Sequence, residues 1–315
     1  MSKPLVSFIV TTYNLPVTLL EECLNSILSL SLREDEREII LIDDGSDKSL
    51  IDFLSKRDAL IYIRQNNQGL SVARNNGLRW AKGEYVQFVD GDDYLVTASY
   101  EHCLDFVRYD HPDMVLFHMT SSNCIETAFS APHPVSGWEY MTDNNIRAAA
   151  CGYIFRKEVL GDLNFTPGIY HEDEEFTPQL LLRCARVFDT NAQAYFYRQR
   201  TGSITHNFDK AFIGKRLEDI LYIIDHLQCI ARQSSIQNKV ALERRVAQLT
   251  MDYLYHIIVL TQNRQKLDEA IEVLKVKDLY PLPDHQYTRK YTLFRKLISS
   301  HWGRQLLIMS LKAKQ

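Results

Sequence analysis

Two carboxylates stand one residue apart in the segment Asp90-Gly91-Asp92-Asp93, directly after an apolar run that ends at Val89. Neighbouring carboxylates can present their oxygens to one divalent cation, and Mg²⁺ and Mn²⁺ prefer carboxylates together with the phosphate oxygens of a substrate. A cation bound there would neutralise charge that develops on a diphosphate leaving group. The alternative is a solvated turn before a helix, because the Asp-x-Asp tripeptide is common. The third carboxylate, Asp93, and the preceding apolar run favour the metal site.

A second pair of carboxylates follows the predicted strand 38–42, in the segment Asp43-Asp44-Gly45-Ser46. Their oxygens could accept hydrogen bonds from a nucleobase or a sugar. The alternative is a turn in which Ser46 or Asp47 caps the next helix. The two interpretations are compatible, since Ser46 can cap a helix while Asp44 binds a ligand.

Two basic segments could contact phosphate. Arg74 lies early in a predicted helix, where its guanidinium could meet a phosphate or hold the aspartate cluster. The alternative for Arg74 is a surface position. Arg198 and His206 lie in a second polar segment and could contact a diphosphate or a metal. The alternative for that segment is a basic cluster on a loop.

A dense acidic run covers Glu172 to Glu175, directly after His171. A carboxylate placed there on a loop can act as the general base for a hydroxyl nucleophile. The alternative is the first turn of a helix, where acidic side chains are favoured by the helix dipole. The run contains no H-E-x-x-H sequence, which excludes a zincin interpretation.

Strands and helices must bring these segments together, and the first part of the chain predicts them in alternation. The predicted strands cover residues 6–11, 38–42, 59–63, 84–89 and 114–118. Thr18 is predicted to cap the first helix and Ser46 or Asp47 the second, and the third helix is predicted from Val72. This order favours a largely parallel sheet with helices on both faces. Ligands of open parallel sheets bind at the carboxyl ends of the strands. The polar clusters that follow the first, second and fourth strands should therefore converge on one crevice.

The last third of the chain changes character and predicts helices at residues 215–230, 239–260 and 266–274. Residues 285–315 contain seven Lys or Arg and no Asp or Glu, together with apolar residues and Trp302. A basic amphipathic segment of this kind could lie on an anionic membrane. The alternative is that its apolar faces pack on the helical region or on a second copy of the chain in a homo-oligomer.

Composition excludes several classes of protein. The 315 residues are 45% hydrophobic and 24% charged with a net charge of −4, which is ordinary for a globular protein and unlike a basic nucleic-acid binder. Neither a spanning apolar run nor a signal peptide is recognisable, so we expect a cytoplasmic protein, peripheral to the inner face of the membrane if the tail binds lipid. The six cysteines form no C-x-x-C pair and are expected to be reduced core thiols. Neither a G-x-G-x-x-G segment after the first strand nor a P-loop sequence is present.

Read in order, these segments resemble the family 2 glycosyltransferases of GT-A fold. The resemblance covers roughly residues 4–206 and rests on the motifs within residues 10–14, 42–46, 67–77, 90–93, 172–173 and 197–203. It implies a Rossmann-like, mostly parallel α/β sheet flanked by helices, with a C-terminal helical extension. The implied domains are a GT-A domain at residues 1–206 and a helical region at residues 207–315. The donor-binding half would cover about residues 1–110 and the acceptor half about residues 110–206.

The resemblance also implies the roles of individual residues. Positions that bind the nucleotide sugar would be Thr11, Tyr13, Asn14, Asp43, Asp44, Arg74, Asp90, Asp92, Arg198 and Ser203. Among them, Asp44 would hydrogen bond a uracil-type base. Asp92, with Asp90, would coordinate Mn²⁺ or Mg²⁺, and His206 is a further candidate ligand. Asp173 would be the catalytic base, and Glu172 would position the acceptor or lie near the metal.

The activity implied is an inverting, metal-dependent transfer of one hexose from a nucleotide-diphosphate sugar, with UDP favoured. The acceptor would be a hydroxyl of a glycan or a lipid-linked sugar in surface polysaccharide synthesis. Many members have a proline where this chain has Thr11-Thr12, a mild departure. The Q-x-x-R-W motif of processive synthases is missing, because Phe176-Thr177-Pro178-Gln179 follows the acidic run, so a single addition is expected.

Three alternatives remain open. A non-catalytic nucleotide-sugar binding protein would keep the fold without turnover, although the intact Asp92 and Asp173 oppose it. A sugar-nucleotidyltransferase would need a glycine-rich basic loop after the first strand, which Thr11 to Pro16 does not provide. An Asp-x-Asp phosphatase would carry its nucleophile after the first strand, whereas here the motif follows the fourth.

Overall fold

The computed structural model describes residues 3–54, 60–122, 129–130, 132–199 and 210–311. Ser203, His206, Cys124, Lys312 and Lys314 lie outside these residues. The chain divides into two compact units, one formed by residues 1–137 and 147–203 and the other by residues 138–146 and 204–315. The boundary predicted after residue 206 also lies outside the described residues and stays a prediction.

The first unit is built on a single eight-stranded sheet with the order β3-β2-β1-β4-β7-β6-β8-β5. The strands are β1 Val6–Thr12, β2 Arg37–Asp43, β3 Leu60–Arg64, β4 Tyr85–Asp90, β5 Tyr94–Leu95, β6 Met114–Thr120, β7 Tyr153–Arg156 and β8 Val187–Phe196. The helices that begin in this unit are α1 Val17–Leu28, α2 Ile51–Leu54, α3 Leu70–Trp80, α4 Thr97–Tyr109, α5 Gly137–Asp143 and α6 Glu172–Leu181. This mixed α/β architecture confirms the predicted fold class.

The parallel half of the sheet is where sequence and structure agree best. β1 is buried along its whole length between β2 and β4, and both neighbours run parallel to it. Their register sets Thr12 opposite Asp43 and Thr11 opposite Asp90. The polar segments that follow these strands therefore leave the same edge of the sheet, and the predicted convergence is confirmed.

In the other half of the sheet only β6 was predicted. β7 pairs antiparallel with β4 and β6, and β5 pairs antiparallel with β8. Both β5 and β7 are too short to show an alternating pattern, and β8 carries polar residues in its middle, Asp189 to Asn191. Strands of this kind form because a neighbour supplies hydrogen bonds and burial, which local sequence does not reveal.

Two predicted helix caps are wrong. α1 starts at Val17 after Pro16, whose backbone oxygen accepts from Leu19 N, and no side chain caps it. Proline suits this entry because its fixed φ is compatible with the start of a helix. α2 starts only at Ile51, five residues beyond Ser46, whose hydroxyl instead accepts from Asn14 N at 2.9 Å.

The second unit is helical. Its described helices are α7 Lys210–Gln233, α8 Ile236–Thr261, α9 Arg264–Val276, α10 Arg289–Ile298 and α11 His301–Ser310. The last four begin where a side-chain oxygen accepts from the first turn, at Ser235, Asn263, Thr288 and Ser300. Such caps satisfy backbone N–H groups that have no partner inside the helix. The three predicted helices are confirmed and are longer than predicted, and α10 and α11 are additional.

The inner helix of this unit is α8. Its buried Arg244 donates to the carbonyl of Thr142 and, at 3.1 Å, to Oδ1 of Asn145. These contacts explain why residues 138–146 belong to this unit. None of the helices in the described ranges combines the length and the apolar content that crossing a membrane requires.

Most of the cysteines behave as predicted. Cys23, Cys103, Cys151 and Cys184 are buried free thiols, whereas Cys229 is an exposed free thiol. Burial raises the pKa of the Cys103 and Cys184 thiols, which keeps them neutral and unreactive.

Gly77 allows α3 to approach the sheet. A Cβ at this position would overlap the Cγ2 methyl of Ile9, a fully buried residue of β1. We expect Gly77→Ala to lower the free energy of unfolding by about 1–3 kcal/mol because the overlap forces the helix away from the strand. Urea unfolding measures this change.

Gly214→Ala is the matched control, because Gly214 also lies in a helix but a Cβ there meets no atom. It should stabilise the chain by about 0.5–1 kcal/mol. Equal effects of the two substitutions would contradict the packing argument.

Candidate active site

One buried cation joins the two acidic segments. Arg74, on α3, is 3% exposed, and its Nη2 and Nη1 lie 3.1 Å from Asp90 Oδ1 and 2.7 Å from Glu172 Oε1. Its guanidinium also lies 5.8 Å from the ring of Phe88 and 5.5 Å from the ring of Phe165. The surface alternative for Arg74 is therefore wrong. The arginine holds the aspartate cluster against the acidic run, as one of the predicted interpretations required.

Glu172 is buried at the first position of α6. Burial raises its pKa, and the Arg74 guanidinium opposes that shift. The Glu172 carboxylate is therefore held in an internal ion pair with Arg74. The following residue, Asp173, is only half-buried and keeps access to solvent. His171, before the helix, has a left-handed backbone with φ of 62°. The acidic run forms the first turn of α6, which confirms the helical alternative. The predicted role of Asp173 as a base is compatible with this geometry and stays a prediction.

The three aspartates after β4 differ in their surroundings. Asp93 is buried, and its two oxygens accept from the Tyr195 hydroxyl and from Arg198 N, each at 2.8 Å. Burial and the neighbouring Asp90 raise the pKa of Asp93 to about 7. Asp90 and Asp92 are half-buried and reach solvent. Asp93 therefore fastens the end of β4 to β8, while Asp90 and Asp92 are accessible to a ligand.

The accessible pair fits a cation of the magnesium type. Such ions are often held by one or two protein carboxylates and take their other ligands from phosphate oxygens and water. Across the residues that the structure describes, no three His, Cys, Asp or Glu side chains are grouped so as to hold a metal. Asp92 is the more suitable ligand of the pair, because Oδ1 of Asp90 already faces Arg74.

The carboxylates after β2 brace the surrounding loops. Asp43 accepts from Ser46 N at 2.9 Å and from the Tyr62 hydroxyl at 2.8 Å. Asp44 accepts from the Gln65 side chain at 2.7 Å and from two backbone N–H groups, Gln68 N at 2.9 Å and Gly69 N at 2.8 Å. The predicted turn is confirmed, but the helix cap predicted with it is wrong, because α2 begins only at Ile51. A carboxylate offers about four acceptor positions, and these contacts within the fold occupy three of those of Asp44.

The segment after β1 combines a brace with an accessible ring. Asn14 has a left-handed backbone with φ of 49°, and its side-chain oxygen accepts from Asp47 N at 2.8 Å. It therefore ties the end of β1 to the loop that follows β2. Thr11 is buried, with its hydroxyl 3.4 Å from Asp90 Oδ1. Tyr13 is 50% exposed, so its ring is open to stacking by a flat ligand.

Arg198 closes the far side of the aspartate cluster. Its Nε donates to the Asp92 carbonyl at 2.9 Å, and its Nη2 lies 2.7 Å from Glu22 Oε2. The guanidinium also lies 5.6 Å from the ring of Tyr94. These contacts hold the Arg198 side chain in place, so it is not simply part of a basic cluster on a loop. The predicted contact of Arg198 with a diphosphate stays a prediction. The roles predicted for Ser203 and His206, which lie outside the described residues, stay predictions as well.

Two supporting residues were missed by the sequence analysis. Tyr195 accepts from Asp90 N at 3.1 Å and donates to Asp93, which fixes the turn between the two aspartates. Gln65 donates to Asp44 and accepts from Asn76 Nδ2 at 2.9 Å. Tyr195 lies 105 positions beyond Asp90, and no local pattern connects them.

With this geometry established, the chain can be compared with known proteins. Residues 7–156 match the family model described as glycosyl transferase family 2. An uncharacterized glycosyltransferase of Bacillus subtilis, EpsJ, is 32% identical over 220 residues, which are 64% of this chain and 63% of that protein. The chain therefore spans less than two thirds of that relative.

Two further comparisons extend the likeness. The Escherichia coli protein WfaP, named a UDP-Glc:alpha-D-GlcNAc-diphosphoundecaprenol beta-1,3-glucosyltransferase, is 29% identical over 214 residues, 66% of this chain and 83% of that protein. The crystal structure of Staphylococcus aureus TarS 1–349 in complex with UDP-GlcNAc superposes with a TM-score of 0.67 at 20% identity, over 98% of this chain and 89% of that one.

The sheet and its flanking helices are a GT-A fold. Residues 7–156 match family 2 of the glycosyltransferases, which confirms the resemblance found in the motifs.

Replacing Arg74, which pairs with both Asp90 and Glu172, should destabilise the fold. We expect Arg74→Met to lower the free energy of unfolding by about 3–5 kcal/mol, because it leaves the buried carboxylate of Glu172 without a counter-charge. Urea unfolding gives the value. The double variant Arg74→Met with Glu172→Gln should recover part of the loss.

Arg79→Met is the matched control, because Arg79 is exposed on the same helix. It should change the stability by less than about 0.5 kcal/mol. A loss in Arg74→Met no larger than in Arg79→Met would contradict the central ion pair.

Proposed function

We propose that the chain is a metal-dependent, inverting glycosyltransferase that moves one sugar from a UDP-sugar to a hydroxyl of a glycan or lipid-linked acceptor. Surface polysaccharide synthesis is the proposed setting. The observation that supports this most strongly is the Arg74 bridge, because it sets the aspartates after β4 beside the acidic first turn of α6. A leaving group bound at the first segment and a base at the second could then act on the same sugar carbon.

The chemistry follows from the accessible carboxylates. Asp173 would take the proton of the acceptor hydroxyl as that oxygen forms a bond to C1 of the donor sugar and the bond from C1 to the diphosphate breaks. Asp92, with Asp90, would hold Mg²⁺ or Mn²⁺, which supplies positive charge to the departing diphosphate. Arg74 would keep the two carboxylate segments at a fixed separation, so that positioning contributes to the rate.

The hydrogen bonds of Asp44 support a uracil donor. With three of its acceptor positions occupied by Gln65, Gln68 and Gly69, the carboxylate can accept about one further hydrogen bond. Uracil offers a single ring N–H, whereas guanine offers two adjacent donors that would use two acceptors. Tyr13 is exposed beside this segment and can stack on the base. The UDP-GlcNAc bound to the TarS structure is consistent with this choice.

The acceptor is proposed from the relatives. WfaP is named for a sugar linked to diphosphoundecaprenol, which supports a lipid-linked acceptor here. The single-addition mode rests on the sequence after the acidic run, where Pro178 and Gln179 replace the processive motif.

A first experiment is calorimetric titration of UDP into the purified protein with and without Mn²⁺. Binding that depends on the metal is expected. We expect Asp92→Ala to weaken the metal-dependent part of that affinity about tenfold or more, because one cation ligand is lost. Asp105→Ala, an exposed aspartate of α4, is the control and should leave UDP binding unchanged. Unaltered metal dependence in Asp92→Ala would remove this residue from the site.

The base is tested separately. We expect Asp173→Asn to retain the affinity for UDP and Mn²⁺ and to lower turnover of a donor sugar by about 10²-fold or more, the usual contribution of a general base. Glu174→Gln, in the same helical turn, is the comparison and should lose far less activity. Nucleotide-sugar binding without turnover in the wild-type protein would favour the non-catalytic binding protein instead.

A further inference from the structure

The outer face of α11 carries three large apolar side chains. Trp302 is 83% exposed, Leu306 54% and Met309 65%. Their spacing of four and three residues sets them on one side of the helix. The buried residues of α11, Gly303 and Leu307, lie on another side, which packs within the second unit. We refer to Trp302, Leu306 and Met309 as the α11 face.

The helix before this face presents positive charge. α10 contacts α11, and Arg289, Lys290, Leu293 and Lys296 of α10 are exposed. Two other arginines of this region are neutralised within the second unit, Arg295 by Asp284 and Arg304 by Asp268. Among the ion pairs of the described ranges, none involves Arg289, Lys290 or Lys296. Lys290 Nζ lies 5.3 Å from the ring of Tyr255, a contact that does not neutralise its charge. The exposed cations of α10 can therefore pair with an external anion.

Either a second copy of the chain or a lipid bilayer could cover the α11 face, and the charge around the face distinguishes between them. Residues 285–315 contain no Asp or Glu. A second copy of the chain, bound through the same face, would bring these basic segments together and be opposed by their repulsion. A bilayer with anionic headgroups would attract the lysines and arginines and accept the apolar side chains below the headgroups.

We propose that the α11 face, with the exposed cations of α10, binds peripherally to an anionic lipid bilayer. Trp302 would sit at the interface between headgroups and acyl chains, where an indole ring is favoured. Leu306 and Met309 would enter the acyl region, and Arg289, Lys290 and Lys296 would contact lipid phosphates. This inference does not depend on the proposed enzymatic function.

Sedimentation of the full chain with vesicles tests the proposal. One set of vesicles is neutral phosphatidylcholine, and the other contains about 30 mol% phosphatidylglycerol. We expect binding to the anionic vesicles at least about tenfold tighter than to the neutral ones, weakened by added salt. The triple variant Trp302→Ser, Leu306→Ser, Met309→Ser should bind the anionic vesicles at least about tenfold more weakly.

The matched control replaces three other exposed apolar residues of the second unit, Ile236→Ser, Val240→Ser and Val276→Ser. It should bind vesicles like the wild type. A charge variant, Arg289→Ser, Lys290→Ser, Lys296→Ser, keeps the α11 face and should lose the preference for anionic vesicles, which gives a second test if the apolar variant does not fold.

Three results would overturn the proposal. They are a wild-type chain that does not bind anionic vesicles, equal loss of binding in the α11 and control variants, and a lipid-independent dimer that only the α11 variant abolishes. The last result, read by light scattering after gel filtration, would assign the face to a second copy of the chain.

Discussion

The buried guanidinium of Arg74 is the interaction on which the site depends. Asp90 comes from the end of β4 and Glu172 from the start of α6, and each would repel the other without a cation between them. Phe88 and Phe165 flank the guanidinium, which is itself buried. Arg74 therefore holds Asp90 and Glu172 at a fixed separation, although the two residues are 82 positions apart in the sequence.

The remaining acidic residues divide into braces and accessible groups. Asp43, Asp44 and Asp93 are buried and accept hydrogen bonds from the loops around them, which holds the edge of the sheet in shape. Asp92 and Asp173 stay half-exposed. A site that must bind a charged ligand needs both kinds, because rigid loops reduce the reorganisation that binding would otherwise require. Acidic residues that look alike in the sequence thus have different functions in the fold.

The helical unit relies on different local signals. Four of its five described helices begin at side chains that cap their first turns. Periodicity alone predicted three of the five described helices of this unit, each shorter than in the structure. Its outward face is less constrained, since Trp302, Leu306 and Met309 form an apolar stripe that contributes little to the core of the unit. A large apolar stripe exposed to water is costly unless something covers it, and the neighbouring cations indicate an anionic surface.

The sequence by itself determined the parallel half of the sheet, the helical character of the last third and the positions of the acidic motifs. Those features depend on periodicity and on short motifs read along the chain. Tertiary structure decided the rest. The short strands β5 and β7 exist only because neighbours pair with them, and Tyr195 and Gln65 act through partners that are remote in the sequence. Arg74 was identified as a candidate from its motif, but its burial between two carboxylates was not predictable, because burial is a property of packing and not of spacing.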